Sequence, residues 1–375
     1  MKNRVLFSLC ISLLLGTCSS QALDSFSLSP LTGFGGADGW LAPGEGGYTY
    51  LGTGNNERGL AYGNGHVYLV SRNGGNNIRI LNPSTGADLG ALNNTGISGG
   101  TFPVNMVGVG GDGVIYVADL TTQSTTSPYK VYSWATEGSA PVVAYSGNAG
   151  LAGSRVGDSF AVTGSGASTL LAAGYGSSPV VTGINGYAIV SPSASTGTAI
   201  GFTGTPPNAG DFRLGLTFAD SSHVIGTAGS SLYRNTSFSG SSGTLLGSPA
   251  IPDPAGATAD RLLGYTVLGG HPLLAVQSIG DSHVSVYDMT NPNSPLWLAS
   301  GNNTSGSLTA NGNGTGEIAW GDIIDNGDGS FSERLYCMSS NQGIQAFIVT
   351  VPEPGMGSLA ALGLGLLAFW RKLRK

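Results

Sequence analysis

Charge is what this sequence has least of: only 10% of its 375 residues are Asp, Glu, Lys or Arg. Between Leu23 and Pro354 there are nine basic residues, and one of them, Lys130, is lysine. Those nine stand against all 21 Asp and Glu, which leaves this stretch near −12. So acidic a surface repels a phosphate backbone and excludes nucleic acid as a partner. It also keeps the chain in solution. Cysteine is equally scarce. Cys10 and Cys18 fall within the first 22 residues, and Cys337 stands alone beyond them. No intrachain disulfide and no cysteine-based zinc site can form there. Nucleophile elbows of the Gly-x-Ser-x-Gly type are missing, and Gly164-Ser165-Gly166 and Gly240–Gly243 have no lysine beside them to make a phosphate loop.

Glycine is abundant instead, at 63 residues, with 18 prolines. Composition alone approaches the range of disordered chains. Yet apolar residues make up 40% and fall in short, regular runs. That pattern predicts an all-β fold with many Gly-rich turns.

The two ends read differently from the middle. Lys2 and Arg4 precede the apolar run Val5–Leu15, and Ser20-Gln21-Ala22 offers small residues for cleavage after Ala22. Residues 1–22 therefore read as a signal peptide. Cys18 would suit a lipoprotein, but Thr17 before it is a poor match to a lipobox. At the other end, Pro352-Glu353-Pro354 is followed by the uncharged stretch Met356–Trp370 and then by Arg371, Lys372, Arg374 and Lys375. As a helix, that stretch would be roughly 22 Å long. It reads as a transmembrane helix whose basic end snorkels and stays cytoplasmic. Residues 23–354 would then lie outside the cytoplasmic membrane.

These three parts in order resemble the PEP-CTERM sorting domain of Gram-negative bacteria. The resemblance covers about 25 residues, 351–375. It implies recognition by an exosortase, a transpeptidase-like membrane enzyme, with cleavage near the motif. The domain would pass from a membrane-anchored intermediate to the surface or matrix, in a setting where extracellular polysaccharide is made. The family shares its tail and not its ectodomains, so the tail implies no molecular function.

The middle repeats. Strand-like segments begin at Ile78, Lys130, Val180, Ser231, His283 and Gly343, spaced 52, 50, 51, 52 and 60 residues apart. Hairpin-like pairs precede them, clearest at Gly59–Ser71 and Met106–Asp119 and repeated at 262–278 and 317–338. A fourth run follows most units, at Val142–Gly147, Ala199–Gly204 and Leu296–Gly301. The last unit has none, and Thr49–Gly54 is the N-terminal run that would complete it. This predicts a six-bladed β-propeller over 45–350, closed by an N-terminal strand. Residues 23–44 are a lead-in or part of a seventh blade. A β-helix would repeat at about 20–30 residues, and a sandwich would not repeat six times. The ectodomain resembles NHL-type and related exported bacterial propellers.

Few residues point to chemistry. His66, His223, His271 and His283 are too far apart in sequence for a helical metal pair. The densest acidic run, with Asp322, Asp325 and Asp328, has oxygens for Ca²⁺. Its Asn-Gly and Asp-Gly steps suit a hairpin turn equally well. Propeller hydrolases and lyases resembling gluconolactonases hold a metal at the axial opening through Glu, Asn and Asp. Glu57, Asp119, Asp158 and Glu317 are candidates for that role here. Trp40, Tyr48, Tyr50, Trp134, Trp297 and Trp320 would stack on sugars if exposed, but at strand positions they pack between blades. Asn302 and Asn313 head Asn-x-Ser/Thr triplets that carry little meaning in a bacterium. The sequence favours a non-catalytic propeller that binds polysaccharide or a surface protein and needs no cofactor. The alternative is a metal-dependent hydrolase or lyase of extracellular sugars or lactones.

Overall fold

The computed structural model describes residues 26–176, 185–202, 207–208, 210–227, 233–250 and 259–352. The signal segment with Ala22, the Pro-Glu-Pro motif beyond Pro352, the apolar stretch and the basic cluster lie outside these residues. Among the described residues no helix is long and apolar enough to cross a membrane.

The alternation of apolar runs with Gly-rich turns becomes a series of antiparallel sheets. Two short strands come first, β1 (Ser27–Pro30) and β2 (Trp40–Leu41). The first blade is β3 (Glu57–Gly63), β4 (His66–Ser71), β5 (Asn77–Leu81) and β6 (Asp88–Ala91). The second is β7 (Phe102–Val109), β8 (Ile115–Leu120), β9 (Tyr129–Trp134) and β10 (Val142–Gly147). The third is β11 (Ala161–Thr163), β12 (Leu170–Gly174), β13 (Tyr187–Ser191) and β14 (Thr196–Ala199). A two-residue strand, β15 (Gly201–Phe202), then pairs in parallel with the outer strand of the fourth blade. That blade is β16 (Leu216–Asp220), β17 (His223–Thr227), β18 (Tyr233–Ser239) and β19 (Ser242–Gly247). The fifth is β20 (Asp260–Leu268), β21 (His271–Ser278), β22 (Val284–Asp288) and β23 (Leu296–Gly301). The sixth is β24 (Gly316–Asp325), β25 (Ser330–Ser339) and β26 (Ile344–Pro352), with β1 as its outer strand. The inner strands β3, β7, β11, β16, β20 and β24 each border the next, and β24 meets β3. The ring is closed: this is a six-bladed β-propeller.

Turn chemistry agrees with the hairpins read from sequence. Asn64 and Gly65 join β3 to β4 with φ of 53° and 75°, the positive pair a type I′ turn requires. The middle strands are buried on both faces, as the all-buried β8 shows. Their side chains fill the spaces between blades. Tyr68, Val70 and Ile78 of the first blade pack with Val107, Val117 and Trp134 of the second. Outer strands are half exposed, so Val142, Val143 and Leu296 face solvent.

Three expectations need correcting. The closing strand is Ser27–Pro30, not Thr49–Gly54. Tyr50 and Leu51 are buried, but in irregular backbone where the Leu51 amide turns back to Tyr48. Residues 26–44 therefore belong to the sixth blade through β1 and β2, and the described residues form no seventh blade. The outer strand of the third blade is Thr196–Ala199, and Gly201-Phe202 has already crossed to the fourth. The segment from Val180 lies outside the described residues, and Tyr187–Ser191 serves as that blade's third strand.

Candidate functional site

Gly59 of β3 abuts Met106 of β7, and Gly63 abuts Val109. Neighbouring inner strands thus run the same way, and their first residues share one end of the axis. Arg58 is the second residue of β3 and Arg261 the second of β20. Asp158 and Arg213 sit just ahead of β11 and β16. Arg72 reaches the same end, because Ser71 before it pairs with Glu57.

Asp158 is the hub of this mouth. Arg155 donates to it through Nε at 2.5 Å and Nη2 at 2.8 Å. Arg213 Nε donates to its Oδ2 at 2.8 Å. Burial would raise this carboxyl, whose side chain is 1% exposed, but Arg155 and Arg213 outweigh burial and hold it below the usual carboxylate range.

Arg58 is different. Its side chain is only 5% exposed, and its nearest carboxylate oxygen, on Asp158, is 3.9 Å from Nη1. Its Nε is buried with no hydrogen-bond partner among the described residues. Burial drives Arg58 down to about 10, and the neighbouring charge of Arg72 pushes the same way. The Arg72 guanidinium lies 3.5 Å from the Phe102 ring centroid and that of Arg58 lies 5.2 Å away. Arg72 Nη2 donates to the Asn55 carbonyl at 2.8 Å. Arg261 is close enough to Arg213 to feel its charge, and burial lowers it too. Glu57 also stands here; its Oε1 accepts the Gly52 amide at 2.8 Å, and burial raises its carboxyl. Five of the nine basic residues in the acidic middle of the chain therefore gather at one end of the axis, where Asp158 and Glu57 stand together with Asp260 and Glu317 at the starts of β20 and β24. Such an arrangement attracts an anion.

Below the mouth, the inner strands enclose an axial cavity of about 150 Å³, lined among others by Leu60, Val107, Phe160, Thr217 and Glu317. Glu317 of β24 accepts the Leu60 amide at 2.8 Å and also the Val107 amide, tying three inner strands together. Burial pushes its carboxyl well above the usual range, and the two amides oppose this. At the far end of the axis, Glu333 accepts the Thr266 hydroxyl at 3.0 Å, and burial pushes its carboxyl up to about 8. Tyr62 donates to Asp322 nearby.

The acidic run suggested for Ca²⁺ is at that far end, opposite the arginines. Its carboxylates serve their own turn: Asp325 accepts the Gly327 amide at 2.8 Å and Asp328 the Ser330 amide at 3.0 Å. Among the described residues, no three of His, Cys, Asp and Glu gather into a group that could hold a metal ion. Of the four axial carboxylates expected from sequence, Glu57 and Asp158 reach the mouth and Glu317 the cavity. Asp119 is buried beside Lys130, whose amide donates to it at 3.0 Å, and burial pushes its carboxyl up to about 8. His66 and His223 pair with Glu137 and Asp220, and His283 with Asp281. Trp134 is fully buried and donates to the Asn93 carbonyl; Trp40 does the same toward Gln342. Tyr50 is likewise buried, against the Arg79 guanidinium. The arginines were missed in the sequence. The signal for them was their recurrence near the blade period: Arg155, Arg213 and Arg261 are 58 and 48 residues apart.

Comparison with known proteins adds two family matches. Residues 350–375 match the PEP-CTERM protein-sorting motif, which implies export and processing by an exosortase-type enzyme. Residues 46–204 match DUF4623, a domain of unknown function. No curated protein matches the chain. Among solved structures, a DUF4623 family protein from Bacteroides eggerthii aligns with 19% identity and a TM-score of 0.57, over 80% of this chain and 71% of the other. That likeness supports the fold alone. The major Malassezia sympodialis allergen Mala s 1 aligns with 13% identity and a TM-score of 0.46, over 80% of this chain and 92% of its own.

Proposed function

We infer that this is an exported surface or matrix protein whose propeller binds an anionic extracellular ligand at its arginine mouth, without catalysing a reaction. The observation that carries this reading is the gathering of Arg58, Arg72, Arg155, Arg213 and Arg261 at one end of the axis of an otherwise acidic domain. The topology supports display. β26 runs from Ile344, beside the mouth, to Pro352, which pairs with Ser330 at the opposite end. A tail anchored in a membrane then leaves from the far face, and the mouth points outward. In cells expressing the full chain, a soluble acidic polysaccharide should be retained at the surface. Cells expressing the chain without residues 353–375 should release the protein and retain none. Equal retention of a neutral glucan by the full chain would refute the anionic reading.

A further inference from the structure

We propose that the mouth is a carboxylate subsite for one uronic-acid residue of an acidic glycan, with Arg58 as the guanidinium that receives the carboxylate; this rests on the binding reading above. A guanidinium presents five donors in a rigid fork. Leaving such a group buried and unpaired is costly. Arg58 Nε is buried with no hydrogen bond to the described residues, in a side chain that is only 5% exposed.

The neighbouring carboxylates do not come within hydrogen-bond reach of it. Both Asp158 oxygens are already engaged by Arg155, and Arg213 shares one of them. Glu57 turns Oε1 to the Gly52 amide. An acceptor from solution would complete the fork, and a planar carboxylate matches it in a bidentate pair. Phe102, partly exposed beneath Arg72, supplies an apolar wall for the carbon face of a sugar ring. The surrounding acidic surface repels the remainder of a polyanion. The mouth therefore takes one residue or a chain end rather than a long stretch.

The test is calorimetric titration of the full chain in detergent with oligogalacturonate, its methyl ester, dextran sulfate oligomers and inorganic phosphate. Oligogalacturonate should bind, and the other three should bind at least tenfold more weakly. Arg58→Lys, which keeps the charge and loses the fork, should weaken oligogalacturonate binding tenfold or more, and Arg58→Gln should abolish it. Without ligand, Arg58→Gln should melt no lower than the parent, because it removes a buried charge whose closest carboxylate is 3.9 Å away and already held by two other arginines; a purely structural arginine would leave a less stable fold. Unchanged binding by Arg58→Lys, or equal binding of dextran sulfate or of phosphate, would overturn the carboxylate assignment while the anion-binding reading stands; equal binding of the uncharged methyl ester would overturn both. Binding of none of the four probes would overturn both.

Discussion

At the residue scale, close approach of inner strands explains much of the glycine. Gly215, just ahead of β16, is the sharpest case: a Cβ there would lie 1.7 Å from the carbonyl oxygen of Arg261. The obstacle is backbone, so the two strands would have to part. Gly215→Ala should destabilise the fold by about 3 kcal/mol or more. It should also displace Arg261 and so weaken anion binding. Urea unfolding at constant m-value would check the first, and titration the second. An alanine variant as stable as the parent would show that the ring yields freely at this point. The mouth was only faintly legible for a related reason. Arg58, Arg155, Arg213 and Arg261 belong to different blades, and no local motif joins them. A carboxylate such as Asp158 could be singled out as a candidate, but its arginine partners declare themselves only once the blade period is laid over the rarest residue class. Glu317 was legible as a candidate and not as a strut, because its partners are backbone amides on two other blades.

At the element scale, the ring depends on β1. Its four residues pair with β26 from Ser27↔Thr350 to Pro30↔Phe347. Phe26 and Leu28 pack against the cluster that holds Phe347, Val349 and Val351. A chain beginning at residue 31 would leave β26 as an open edge, with unpaired amides and carbonyls ready to recruit another chain. It should melt several degrees below a chain beginning at residue 23 and form larger species on size-exclusion chromatography. Identical melting and elution would show that β1 is dispensable. This strand also marks where sequence reading stopped. The third strands starting near 78, 130, 283 and 343 were plain, because buried middle strands are continuous apolar runs. β1 reads Ser-Leu-Ser-Pro, with one apolar side chain to pack and a proline tolerated at a sheet edge. Thr49–Gly54 looked more like a strand because Tyr50 and Leu51 are core residues, but core burial there is met by a loop.

At the scale of the whole molecule, the buried carboxyls set how stability responds to pH. Burial pushes Asp119 and Glu333 up to about 8 and raises Glu57 and Glu317 as well. In the unfolded chain these groups ionise near pH 4. Between that pH and about 8 the folded state holds more protons than the unfolded one, so stability falls as pH rises and levels off only above the folded values. Asp158, Asp220 and Asp281 act in the opposite sense. Burial disfavours their ionised forms, but Arg155, His223 and His283 outweigh it and lower them. Their contribution is present above the ordinary carboxylate range and is lost only in more acidic solution. The two sets leave a maximum on the acidic side of neutral. The melting temperature of the full chain should therefore drop steadily from pH 5 to pH 9, by an amount on the order of a few kcal/mol in stability. Glu333→Gln, which cannot ionise and can still accept from Thr266, should flatten part of that slope. A melting temperature that is level or rises over this range would mean that these carboxyls ionise freely in the folded ring. The packing of the inner strands around Glu317 and Glu333 would then be looser than their burial implies.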